Sequence, residues 1–89
     1  MKLQFNKNLE NHLVKNGFEI KHRLIDSAHP RIMFVLRNFE IYIYPATKSI
    51  MVWYKRPNFD IFIQGCKTLN DLYRLEQLIE GTTEKSSDL

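Results

Sequence analysis

One cysteine, Cys66, stands in 89 residues, which excludes an internal disulfide framework and every zinc site built on several thiolates. Glycine is as scarce as proline, three of each, and Gly17, Gly65 and Gly81 are isolated from one another, so no glycine-rich loop is present to cradle a phosphate. His12, His22 and His29 show no spacing that sets two of them on one helix face or strand edge, and no metal site is expected. No unbroken apolar run exceeds that of residues 32–36, far short of the ~20 residues a membrane-spanning helix needs. The opening stretch "MKLQFNKNLENHL" puts Asn, Lys and Glu where a secretory signal holds its apolar core, so a cytoplasmic protein is expected.

Acidic residues are dispersed, with no pair placed by a recognisable acid–base motif. Cys66 lies just before a segment that reads as a helix, where the helix dipole would lower a thiol pKa, but no histidine is near it in sequence to act as base. It reads better as a small packing residue. The sequence therefore implies no enzyme, no cofactor and no small-molecule substrate.

What is present is the composition of an ordinary globular chain, 44% apolar and 26% charged. At this length it forms one domain, expected over residues 1–80, followed by a flexible tail over 81–89 whose polar "GTTEKSSDL" buries too little to offset its ordering entropy. A chain this small buries only about 60% of the surface that its unfolded form exposes, which makes self-association a natural source of further stability. The net charge of +3 is uneven: residues 1–58 carry ten Lys/Arg against four Asp/Glu, and residues 59–89 carry three against six.

Phe5, Leu9 and Leu13 recur every four residues, with Val14 widening the stripe, and predict a helix over 6–16 that stops at Gly17. Leu72, Leu75 and Ile79 predict a second over 69–80, started by Thr68 as N-cap with Asp71 three residues on and stopped by Gly81. Between them, runs rich in Ile, Val, Phe and Tyr near 18–25, 31–36, 39–44, 49–55 and 59–63 read as strands. The expected fold is α+β, an antiparallel sheet of four or five strands flanked by an N-terminal and a C-terminal helix. In element order this is similar to the double-stranded-RNA-binding domain, but that family relies on a lysine-rich start to its second helix, and here the helix opens "TLND"; no membership follows.

Two turns fix the register. A two-residue turn at Arg37-Asn38 sets Leu36 opposite Phe39, Phe34 opposite Ile41 and Ile32 opposite Ile43. A four-residue loop from Pro45 to Lys48 sets Ile43 opposite Ile50, Ile41 opposite Val52 and Phe39 opposite Tyr54, all on the same face. That register turns Met33, Val35, Tyr42, Tyr44, Met51 and Trp53 to the other face, with Glu40, Arg37, Lys55 and Arg31 around them. His22, in phase with Phe18, Ile20 and Leu24, is expected half-buried and hydrogen-bonded, and His12 on the polar flank of the first helix.

If one helix covered each face, the second set would be more core. With both helices on the first face, Met33, Tyr42, Tyr44, Met51 and Trp53 instead form a contact surface. The reading preferred is a non-catalytic binding module in protein–protein interaction, as a homodimer or as a small adaptor or inhibitor of a larger protein. The alternative is a nucleic-acid-binding protein, in which bases stack on the aromatic side chains and Arg31, Arg37, Lys48, Lys55 and Arg56, with Lys21 and Arg23, meet phosphates. Glu40 within the face opposes that alternative.

Overall fold

A computed structural model describes residues 2–87. Helix α1 spans Leu9–Lys15, strands β1 to β5 span Glu19–Leu24, Arg31–Leu36, Phe39–Tyr44, Ser49–Arg56 and Phe59–Ile63, and helix α2 spans Leu69–Ser87. The strands form one antiparallel sheet in the order β1-β2-β3-β4-β5, each paired with its neighbour in sequence. Both expected turns are present: Leu36 pairs with Phe39 and Phe34 with Ile41, while Ile41 pairs with Val52 and Ile43 with Ile50. Arg37 and Lys48 take the left-handed backbone, φ 52° and 53°, that tight turns demand.

Burial alternates along β3, where Phe39, Ile41 and Ile43 are buried and Glu40, Tyr42 and Tyr44 only half-buried. The buried set joins Phe34, Ile32, Val52 and Tyr54 in a single core with Leu9 and Leu13 of α1 and Leu69 and Leu72 of α2. Both helices therefore lie on the same face of the sheet. Phe39 and Tyr54 pack edge to face at 5.1 Å beneath α2.

Helix α1 is shorter than expected. Asn6 ends up in a turn before it, its side-chain oxygen accepting from the Asn8 amide at 2.8 Å, which competes with helical pairing. Phe5 thus precedes the helix but still packs against the core, while Val14 faces outward. Gly17 (φ 96°) ends α1 as expected: its amide bonds to the Val14 carbonyl and that of Phe18 to the Leu13 carbonyl, an arrangement requiring a left-handed residue at Gly17.

Helix α2 starts at the expected cap. The Asp71 amide donates to Thr68 Oγ1 at 3.3 Å, and the Asp71 carboxylate accepts from the amides of Lys67 and Thr68 at 2.9 and 3.0 Å. Those amide bonds hold the Asp71 carboxyl below the usual carboxylate range. The expected stop at Gly81 is corrected: Gly81 keeps a helical φ, and α2 continues to Ser87. Of the expected tail, residues 88–89 lie outside the described residues.

No helix among the described residues is long and apolar enough to cross a membrane.

Candidate protein-contact face

The helix-free face is assembled by the strand register. One row across the sheet runs Glu19, Val35, Glu40, Trp53 and Phe62, and the next runs His22, Met33, Tyr42 and Met51. Tyr44 and Ser49 extend β3 and β4 in one direction, and Lys55 and Asp60 close β4 and β5 in the other. All five expected contact residues, Met33, Tyr42, Tyr44, Met51 and Trp53, are thus on this face. None belongs to the core cluster that the helices cover.

Among the described residues no helix packs on this face, and the side chains cover one another. Trp53 and Phe62 pack with ring centroids 4.9 Å apart, and the Tyr42 and Tyr44 rings stack at 6.4 Å. Met33, between β1 and β3, is 8% exposed, whereas Phe62 at the β5 edge is 42% exposed. Sequence reasoning missed Phe62 and Asp60. The signal was available in Pro57-Asn58, a two-residue turn that sets Arg56 opposite Phe59 and so Trp53 opposite Phe62.

Charge at the face is mixed. Glu40, in the middle row, accepts a hydrogen bond from the Tyr42 hydroxyl at 2.9 Å. Burial first, and that carboxylate second, push the Tyr42 phenol up to about 12. Lys55 lies 5.1 Å from the centre of the Trp53 ring while its ammonium bridges Asp60 at 3.1 Å. Arg31 donates to the His29 carbonyl at 3.1 Å at the β2 end of the face.

The raised phenol has a consequence in alkali. Above pH 10 the unfolded chain loses the Tyr42 proton while the folded chain keeps it, so this group's contribution to stability is intact below pH 10 and is lost between pH 10 and about 12. Urea midpoints of the parent chain should fall more steeply across that window than those of Tyr42→Phe, and parallel curves would contradict the Tyr42–Glu40 pairing.

The basic candidates divide. Arg37 does not lie on the helix-free face as expected: its guanidinium turns to α2, where it bridges Glu76 at 2.9 Å and sits over the Tyr73 ring at 5.6 Å. Arg56 likewise reaches α2 and bridges Glu80 at 2.6 Å, and the Tyr54 hydroxyl donates to the same carboxylate. Arg23 pairs with Glu10 of α1 at 2.7 Å. The cause lies in the helix: Glu76 and Glu80 are four residues apart on one stripe of α2, directly above the ends of β2 and β4. Lys48 stays exposed in the β3–β4 turn, at the opposite end of the sheet from Lys55.

The remaining chemistry-bearing side chains are placed as follows. Burial, then Asp71, pushes the Cys66 thiol up, the reverse of what a helix dipole alone predicts and of what an activated nucleophile needs. His22 is half-buried, but an irregularity between Ile20 and His22 shifts the register, so Ile20 stands opposite Phe34 and His22 opposite Met33. Instead of the expected hydrogen bond, its Nε2 is buried with no partner among the described residues. His12 lies on the flank of α1 beside Asn16. Among the described residues no three of His, Cys, Asp and Glu come together as a metal site would require.

Comparison with protein-family models, with curated proteins and with solved structures gives no match for this chain.

Proposed function

We propose that this chain is a cytoplasmic, non-catalytic binding module whose helix-free sheet face docks onto another protein surface. The observation that carries the reading is that α1 and α2 both pack on one side of the sheet, so that among the described residues no helix covers Tyr42, Tyr44, Met51, Trp53 and Phe62, with Met33 buried beneath its neighbours on the same face. Aromatic and Met side chains gathered on one sheet face are costly to leave in water, and such gatherings mark contact sites. Aromatic and Met side chains with Arg31, Lys55, Glu19 and Asp60 around them follow the anatomy of protein interfaces, and Glu40, the carboxylate in their midst, accepts a hydrogen bond from the Tyr42 hydroxyl. The testing variant is Trp53→Ser, which should remove association seen by light scattering while leaving the helical circular dichroism in place.

Nucleic acid, the other reading, is disfavoured by the same geometry. Arg37 and Arg56 are held by α2, Lys55 faces Asp60, and Glu19 and Glu40 lie on the face, so the cations form no continuous path for a phosphate backbone. Mixed-sequence oligonucleotides at low salt should show no mobility shift. Binding that weakens steeply with salt and drops in Arg31→Ala or Lys55→Ala would instead establish the nucleic-acid reading.

A further inference from the structure

The sheet has two free edges, and they are not alike. The β1 edge carries Glu19, Lys21 and Arg23 and breaks its register between Ile20 and His22, the devices by which proteins keep an edge from pairing with another chain. The β5 edge has no register break and a single charge. Its five pairs with β4 run without interruption, its sequence is Phe-Asp-Ile-Phe-Ile, and its one charge, Asp60, is bridged by Lys55. Phe59 and Phe62 are 44% and 42% exposed, and among the described residues β4 is its only strand neighbour.

The direction of its unused hydrogen-bonding groups follows from β4. The Lys55 amide donates to the Asn38 carbonyl at 2.7 Å, toward β3, so the main-chain groups of Trp53 also point to β3 and those of Val52, Tyr54 and Arg56 to β5. Their partners Ile63, Ile61 and Phe59 therefore point back at β4. Asp60 and Phe62 point outward. The open edge thus presents the amides and carbonyls of Asp60 and Phe62.

We propose that a second copy of this chain pairs with β5 through this edge, antiparallel, with Phe62 of each copy meeting on the two-fold axis. The occupant is argued from self-complementarity. With Phe62 on the axis, Phe62 opposes Phe62 and Ile61 opposes Ile63, apolar against apolar, while Asp60 comes opposite the neutral Gln64 rather than a second carboxylate. Centring on Ile61 would oppose Asp60 to Phe62, and centring on Asp60 would set two carboxylates face to face. The pairing joins the two Trp53–Phe62 stacks into one aromatic cluster, so the helix-free faces of both copies become continuous. Edge and face are separate surfaces that share Asp60 and Phe62, and the face reading stands or falls independently of the edge.

Sedimentation equilibrium over a concentration series tests the proposal on the full chain. The parent chain should show a monomer–dimer equilibrium, and Phe62→Lys and Phe62→Glu should each weaken it by about a hundredfold, since like charges then meet on the axis. Mixing the two variants should restore a dimer, because Lys then faces Glu. On the unmodified chain, the Asp60 and Phe62 amides should exchange with solvent more slowly as concentration rises. A parent chain that stays monomeric, variants that dimerise as tightly as the parent, or a mixture that fails to associate overturns the proposal. Dimerisation indifferent to Phe62 but abolished by Tyr42→Ser, on β3 and away from the edge, also overturns it while supporting self-contact through the face.

Discussion

Ile41→Ala should lower the stability of the folded chain by about 2–5 kcal/mol and leave much of it unfolded at physiological temperature. Ile41 is fully buried at the middle of the central strand, with Phe34 beside it on β2 and Val52 beside it on β4. Truncation there opens a cavity that neither neighbour can fill, because each is fixed by its own ladder. A domain of this length holds roughly 4–13 kcal/mol in total, so the loss is a large share of the whole. Tyr42→Ala, one residue along and on the opposite face, removes a larger side chain and should cost less, since Tyr42 is only half-buried. Urea denaturation of the pair checks this, and a melting transition unchanged in Ile41→Ala would contradict the observed register.

Trp53→Ser should separate contact from folding. The indole touches Phe62 and lies under the Lys55 ammonium, contacts worth about 1–2 kcal/mol together, and among the described residues no helix packs on it. The monomer should therefore keep its helical signal and a single cooperative unfolding transition, at a slightly lower midpoint. Association through the face should fall by about 30-fold or more, the scale of a tryptophan at the centre of an interface. Light scattering and circular dichroism on the same samples decide the matter. A collapsed Trp53→Ser monomer would assign the indole to the core and remove the contact surface.

The central register was legible because three conditions agreed: "RN" and "PATK" are turn-forming, the strands between them alternate, and only one pairing sets apolar residues opposite one another throughout. The faces of β2, β3 and β4 follow from that alone. The irregularity in β1 was not legible, because "EIKHRL" alternates acceptably in either phase and no neighbouring turn pins it. The direction of Arg56 followed from the central register, which sets it on the helix-covered face in phase with Val52 and Tyr54. That of Arg37 was hidden: strand alternation assigns a face to a Cβ, but a long guanidinium at a turn can reach round to a carboxylate, and Glu76 lies far along the chain. Gly81 misled for a related reason, since glycine permits a left-handed stop without requiring one.

The strand order, in which every β-pair joins neighbours in sequence, also bears on how the chain reaches this structure. The β2–β3, β3–β4 and β4–β5 hairpins close over short turns, so each costs little loop-closure entropy and the sheet can grow by accretion from either central hairpin. This gives the topology a low contact order for a sheet-rich chain. The long-range closures are those that bring the ends together: the Leu3 amide to the Lys67 carbonyl, and α2 over the ends of β2 and β4 through Arg37–Glu76 and Arg56–Glu80. The contacts of α2 thus rest on strands that pair without it, and in amide exchange the α2 amides should open at lower free energy than those of the hairpin ladders.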